Sequence, residues 1–456
     1  MNASPSAFAT AATPPSPPPR HPRGFRARRG LNWGVVGLMY TSFYMCRYNF
    51  SIANKSISDE FGWSKADVGS IISTMMLVYA FGQILNGLLS DRIGGKKTML
   101  LGAAGTIVFN ILFGVASHAG LLWLFVLLRG IDGYFQAAGA PGMIKINVAW
   151  FPKAERGRFA GIFGFMINLG RFGIFNLGPS LLAGFLFLGL WQVPPLHWRW
   201  LFWVPAGIAA LVAALLALCV KNTPEEAGFA GAVPNEGAGG NDTPAPSAPE
   251  PGIREVVRKI AGNPVIWIVA AAYACTGAVR QGIDQWFPRY MQEVFSTDLR
   301  DAKFQLLAFM IPFVASAGSL VSCYVSDLLF KGRRAPVAAG IYVIETAIIA
   351  SAAMAASVNA VIVFFVLISF TANSTHSLLG TAAAMDIGGR KMAGFASGVI
   401  DSFQYFGGFL SGWLLGALVD ANGWAVYFWF LMPFGVTGGL LMLLVGRVSR
   451  RRGVAL

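Results

Sequence analysis

GLLSDRIGGKK, residues 87–97, is a polar interruption between two long apolar runs, and VSDLLFKGRRAPV, residues 325–337, repeats its scheme. In each, a Ser-Asp pair closes one run and a cluster of cations opens the next. Ser90, Asp91, Arg92, Lys96 and Lys97 do this in the first copy, and Ser326, Asp327, Lys331, Arg333 and Arg334 in the second. Working outward, other markers recur in step. Ala160-Gly161 opens the fifth apolar run and Ala393-Gly394 the eleventh. Arg47 and Arg280 lie 233 positions apart, and so do Asn168 and Asp401. The chain therefore carries a parallel repeat, its halves related by an axis along the membrane normal.

Runs of about 20 residues suffice to cross about 30 Å of hydrocarbon. Twelve are expected here, at 33–55, 67–90, 97–117, 120–148, 157–188 and 199–220, then at 263–290, 303–327, 335–356, 358–384, 392–418 and 424–446. That predicts an all-α membrane protein with 12 transmembrane helices in two pseudo-symmetric six-helix halves. Composition agrees: charged residues are 12%, half of the roughly 25% usual in soluble domains. The expected organisation is a disordered cytoplasmic tail over 1–30, a six-helix bundle over 31–220, a cytoplasmic linker over 221–262, a second bundle over 263–446 and a basic cytoplasmic tail over 447–456. The linker contains GAVPNEGAGGNDTPAPSAPEPG, residues 231–252, a composition that buries no core.

A net charge of +14 raises the possibility of nucleic acid, but no continuous basic face or reading module is present. The cations instead sort to one side: Arg20 to Arg29, Arg92 to Lys97, Lys153 to Arg158, Arg254 to Lys259, Lys331 to Arg334, Arg390 and Lys391, and Arg447 to Arg452. The other side holds scattered ones such as Lys65, Arg199, Arg289 and Lys303. The positive-inside rule then places both termini and the linker in the cytoplasm of a multi-pass protein of the inner (plasma) membrane, surrounded by lipid. Cys46, Cys219, Cys275 and Cys323 have no zinc spacing, and His118, His197 and His376 no metal spacing and no expected role. No nucleophile, base or metal constellation marks an enzyme. No cofactor is expected, and a monomer is.

Ionisable side chains at mid-helix cost about 2.5–3.5 kcal/mol each on insertion scales, so each calls for a reason. The set is Arg47, Asp132, Lys145, Arg171, Arg280, Asp284 and Asp401. Cations outnumber anions, which predicts a small anionic substrate in a central cavity. Arginine suits phosphate because its planar fork donates two parallel hydrogen bonds and stays charged when desolvated. Plainer readings stay open beside this one. Arg47 or Arg280 can pair with Asp132 or Asp401, Arg171 can be a packing contact, and Lys145 can snorkel. Asp284 reads as the i,i+4 partner of Arg280. Asp401 reads as a fixed partner of an arginine, or as a proton carrier. Asp91, Arg92, Asp327 and Arg333 read as gating salt bridges between helix ends. Tyr40, Tyr44, Tyr48, Tyr79 and Tyr405 are the aromatics near the arginines.

FYMCRYNFSIA (43–53), APGMIKINVAWFPKAERGRFAG (140–161), VRQGIDQWFPRYM (279–291) and MDIGGRKMAGFASG (385–398) with QYFGG (404–408) join the two loop segments in carrying a resemblance. Through them the chain resembles the organophosphate:phosphate antiporter family of the major facilitator superfamily, along nearly all of 30–446. The resemblance implies a phosphate site at Arg47 and Arg280, flanking aromatics at Tyr44, Tyr79 and Tyr405, and exchange of an external organophosphate for inorganic phosphate. The chain departs from glycerol-phosphate-type members at Tyr48 and Gln83, where they place lysines, and at Ile167, where they place histidine. Arg171, Asn168 and Lys145 are the candidates to line the site there. Two alternatives follow: a proton-coupled organic-anion symporter using Asp401 or Asp132, and a sugar-phosphate sensor signalling to a partner.

Overall fold

A backbone in hydrocarbon must satisfy its own N–H and C=O groups, so the apolar runs fold as helices. The computed structural model describes residues 22–187, 189–233, 264–330, 333–381 and 393–452, with positions 254, 257, 258, 261 and 262 between the halves. In the first half the helices are α1 (Phe25–Phe61), α2 (Lys65–Ile93), α3 (Gly95–Ala116), α4 (Leu122–Gln136), α5 (Gly139–Trp150), α6 (Lys153–Ala183) and α7 (Trp200–Cys219). In the second they are α8 (Pro264–Val294), α9 (Ala302–Leu329), α10 (Arg334–Ala353), α11 (Val358–His376), α12 (Ala393–Leu410), α13 (Trp413–Asn422) and α14 (Val426–Arg452). The pairs α4–α5 and α12–α13 each make one crossing in two pieces, which gives six crossings per half and twelve in all.

Three expected spans are corrected. The span 120–148 breaks at Ala137–Ala138 because Pro141 has no N–H for the Ala137 carbonyl. Asn86 Nδ2 donates to the neighbouring Tyr134 carbonyl at 2.9 Å. The span 392–418 breaks at Ser411–Gly412. There Trp286 Nε1 donates to the Ser411 carbonyl at 2.7 Å, and Ser73 Oγ accepts from the Trp413 N–H at 2.7 Å. The span 157–188 ends at Ala183 and runs into a short antiparallel hairpin, β1 (Phe185–Phe187) with β2 (Trp191–Val193).

The expected tails and linker differ too. α1 begins at Phe25, inside the expected tail, because Phe25 stacks on Trp150 and meets Phe229 edge-on. Phe229 belongs to the start of the linker, which docks on the first half: Asn222 Oδ1 accepts from the Lys96 N–H at 2.9 Å. Residues 1–21, most of the remaining linker, Lys331, Arg390, Lys391 and residues 453–456 lie outside the described residues.

Eight of the described helices are by themselves long and apolar enough to cross a membrane. The crossings not among them, α1, α4–α5, α6 and α12–α13, carry Arg47, Asp132, Lys145, Asn168, Arg171 and Asp401. Two of these crossings are divided into shorter helices, and α8 counts among the eight although it carries Arg280 and Asp284.

The repeat is visible as touching equivalents. α1 and α8 pack at the pseudo-symmetry axis, where Tyr48 Oη donates to Gln281 Oε1 at 3.4 Å and Ser51 Oγ to the Asp284 carbonyl at 2.7 Å, each pair 233 positions apart. Backbones approach closely where side chains vanish. A Cβ on Gly277 would lie 1.8 Å from the Gln404 carbonyl oxygen, and one on Gly407 1.8 Å from that of Ala274. This presses α8 against α12. Between the halves, α2 meets α13 in the same way at Gly69 and Gly412.

Candidate anion site

Arg47 points from α1 into the seam between the halves and is fully buried. Its five-donor fork is divided among three neutral partners: Nε donates to Gln136 Oε1 at 3.1 Å, Nη1 to Tyr405 Oη at 2.7 Å and Nη2 to Tyr79 Oη at 2.7 Å. The guanidinium carbon lies 4.4 Å from the Tyr44 ring and 4.3 Å from the Tyr79 ring, distances at which a ring face attracts a cation. The rings of Tyr79 and Tyr405 pack at a tilt of 34° with centroids 3.9 Å apart. Tyr405 comes from the other half, so the cage around Arg47 spans both.

Arg280 occupies the matching place on α8 and is 1% exposed. Its Nη1 donates to Gln404 Oε1 at 3.1 Å, while Nε and Nη2 have no hydrogen-bond partner among the described residues. Buried donors left unmade are costly, and two on one guanidinium describe a half-filled fork. Neither Arg47 nor Arg280 pairs with Asp132 or Asp401, so the ion-pair readings of both are corrected.

Asp284 keeps the expected i,i+4 pair with Arg280 at its outer limit and gains a second partner. Its nearer partner is Arg171 of the opposite half, whose Nη2 contacts Oδ1, while Arg280 Nε stands 4.0 Å from Oδ2. Both Arg171 and Asp284 are buried. Arg171 is therefore neither a packing contact nor an open cavity charge. It is one side of an ion pair between halves, oriented by Asn168 Oδ1, which accepts from its Nη1 at 2.9 Å. The carbonyl of Asp284 accepts from Ser51 because Pro288, four residues on, has no N–H to offer it.

Asp132 is held by Arg129, a residue absent from the expected set. Arg129 Nη1 and Gln136 Nε2 each donate to Asp132 Oδ2 at 2.9 Å. Arg129 Nη2 also reaches the Arg47 carbonyl at 2.5 Å and Nη1 the Cys46 carbonyl at 3.2 Å. α4 thus grips the backbone that bears Arg47. Arg129 was readable as a cation one turn from Asp132 inside an apolar run.

Asp401 meets no arginine at pairing distance among the described residues, which corrects its reading as a fixed partner. Gln83 Nε2 donates to its Oδ2 at 2.7 Å and Tyr273 Oη to its Oδ1 at 3.1 Å. Tyr273 Oη also lies 2.7 Å from His376 Nδ1, so His376, given no role from sequence, joins this chain. Glu345 on α10 was missed too. It is buried, with Thr371 Oγ1 donating to Oε1 at 3.3 Å.

Lys145 lies outside the arginine cluster, with its Nζ 2.8 Å from Asp91 Oδ1. Asp91 Oδ2 accepts from the Phe395 N–H at 3.1 Å, which ties the end of α2 to the start of α12. Arg92, Asp327 and Arg333 are exposed. At the opposite end Arg289 donates to Asn54 Oδ1 and Ser58 Oγ, both at 2.9 Å, and Lys65 Nζ stands 3.1 Å from Glu293. Contacts between the halves thus close both ends around the arginines.

The profile of the Major Facilitator Superfamily matches residues 36–412. The chain belongs to that superfamily. It is a transporter of the superfamily and not an enzyme. It is 27% identical over 426 residues to the membrane sensor protein UhpC of Escherichia coli (strain K12), covering 90% of each chain. It is 26% identical over 426 residues to the glycerol-3-phosphate transporter of Bacillus subtilis (strain 168), covering 90% of this chain and 91% of that one. Among solved structures it resembles a bacterial homolog to the human lysosomal transporter Spinster in an inward-facing and occupied conformation. The TM-score is 0.67 at 15% identity, over 93% of this chain and 98% of that one; this likeness is one of fold.

Proposed function

We propose that the protein carries a small phosphorylated anion across the plasma membrane by alternating access, with inorganic phosphate as the counter-anion. The observation that carries this reading is the pair Arg47 and Arg280, at equivalent places of the two halves, both buried, with two nitrogens of Arg280 lacking a hydrogen-bond partner among the described residues. An anion between them takes those donors, displaces the tyrosine hydroxyls from Arg47 and joins the halves through charge-assisted hydrogen bonds. Tyr44, Tyr79 and Tyr405 cover the non-phosphate part, Gln83 flanks it, and Asn168 with Arg171 holds Asp284 beside Arg280 on one side. On this reading the protein works as a monomer, with termini and linker in the cytoplasm on the side where cations cluster.

The names of relatives support the substrate class. Besides the glycerol-3-phosphate transporter they include a probable hexose phosphate transport protein of Chlamydia trachomatis and a phosphoglycerate transporter protein of Salmonella typhimurium. These favour transport over sensing, although UhpC is named a sensor. The test is exchange in proteoliposomes loaded with radiolabelled inorganic phosphate. Efflux driven by one class of external sugar or glycerol phosphate is expected. Retention of the label against every organophosphate and against external phosphate overturns the reading.

A further inference from the structure

Away from the ends of the described crossings, four carboxyls are buried or half-buried, Asp132, Asp284, Glu345 and Asp401, and their partners differ in kind. Asp132 and Asp284 are held by Arg129 and Arg171, guanidiniums that stay charged at any pH the protein meets. Glu345 accepts from the Thr371 hydroxyl. Asp401 alone combines neutral partners with a position one helical turn before Gln404 and Tyr405, the residues that accept from Arg280 and Arg47.

Those partners serve either protonation state. Gln83 now donates through Nε2, and its Oε1 has no hydrogen-bond partner among the described residues. A turned amide therefore accepts from a protonated Asp401. The Tyr273 hydroxyl donates to the Asp401 carboxylate, and with Asp401 protonated it can accept there and donate to His376 Nδ1 instead. Asp401 and His376 are half-buried and Tyr273 between them is buried, so the two ends of the chain are the ones open to exchange.

The charged and titratable groups around Asp401 decide what moves the proton. α8 presents Arg280 and Tyr273, and α1 presents Arg47, Tyr40 and Tyr44. α2 presents Tyr79, and α12 itself Tyr405. Lys145 of α5 is engaged by Asp91, and His376 of α11 is reached through Tyr273. Two cations thus act on one carboxylate. An anion bound between Arg47 and Arg280 cancels their field at Asp401 and adds its own.

We propose that Asp401, with Tyr273 and His376, is a proton-binding site coupled to the anion site, and that it takes up a proton from solvent when the anion binds. With His376 in its Nε2–H tautomer, a proton from solvent adds to an Asp401 oxygen, the Tyr273 O–H turns from that carboxyl to the lone pair of His376 Nδ1, and no other covalent bond forms or breaks. Linkage makes the coupling reciprocal, so the anion binds more tightly as pH falls. This rests on the proposed anion transport and adds a second ligand to it.

The experiment uses purified full-length protein with inorganic phosphate as the probe. Proton uptake on binding is measured in weak buffer for wild type, Asp401→Asn and Tyr273→Phe, with infrared difference spectra for the carboxylic-acid carbonyl band. Phosphate's own titration is common to all variants, so the difference between them is what counts. Wild type is expected to take up about one proton more per phosphate bound than Asp401→Asn. Its acid band should vanish in Asp401→Asn and persist in Glu345→Gln. Tyr273→Phe, which keeps the carboxyl, should shift the band and slow proton uptake. Equal uptake by wild type and Asp401→Asn, or a band lost only in Glu345→Gln, overturns the proton site alone. If wild type binds no phosphate, the transport reading falls and this inference with it.

Discussion

Arg47 and Arg280 do their work as forks, not as point charges. Arg47→Lys and Arg280→Lys keep the cation and lose the planar pair of donors. Two charge-assisted hydrogen bonds at about 1.5 kcal/mol or more each put the expected loss of phosphate exchange near 100-fold. Proteoliposome exchange at matched protein content measures it, and near-wild-type rates in either variant would remove that residue from the site. Arg129 acts differently, since its partner is the buried Asp132. Arg129→Met leaves that carboxylate uncompensated and is expected to cost about 3–5 kcal/mol, while Arg129→Met with Asp132→Leu should recover most of it. Unfolding in detergent compares the two, and an equally unstable double variant would refute the pairing argument. At this scale the sequence was legible where a charge interrupts an apolar run, as at Arg47, Arg280 and Arg171. It was not legible where the meaning lies in a partner on another helix. Asp284 sits one turn from Arg280, so local spacing favoured that pair, yet Arg171 comes closer from the opposite half. His376 acquires its place only through Tyr273, 103 residues away.

Helices in this protein are shaped by what their breaks leave unpaired. Pro288 deprives the Asp284 carbonyl of its helical donor, and Ser51 on the symmetry-equivalent helix supplies one at 2.7 Å. Ser51→Ala is therefore expected to cost about 1 kcal/mol, and much less in a Pro288→Ala background where the helix can bond itself. A double-mutant cycle on detergent unfolding reads the coupling; additive costs would show that the serine acts elsewhere. The breaks explain which spans were readable. Length and apolar content fix that a crossing exists, and twelve were counted. They do not show where Pro141 or the Ser411–Gly412 step divides it, because the groups that tolerate those breaks, Asn86, Trp286 and Ser73, come from other helices. The Phe229 contact that docks the start of the linker was hidden in the same way.

The two halves meet in three layers: Asp91 with Phe395 at one end, the arginine cluster with its Arg171–Asp284 pair in the middle, and Lys65, Arg289 and Glu293 at the other. Alternating access requires one end layer to part while the middle holds, so each end must be close to balanced. The partly exposed ion pairs at the Lys65 end contribute little singly, about 0–1 kcal/mol. The tighter constraint there is steric. Gly69 and Gly412 bring α2 and α13 together so closely that a Cβ on either would lie 2.6 Å from the carbonyl oxygen of the other. Gly412→Val therefore cannot close that end without moving backbone, and it should hold the protein open there. A cysteine at position 51, buried in the seam of the closed state, reports this in a background with Cys46, Cys219, Cys275 and Cys323 changed to serine. Gly412→Val should raise its labelling by a membrane-impermeant thiol reagent about 10-fold or more, the shift produced by about 1.4 kcal/mol between two states. It should also slow phosphate exchange, because a carrier that cannot close one end cannot open the other. Unchanged labelling with slowed exchange would mean that the α2–α13 contact is not the closing surface and that the polar layer carries the closure instead.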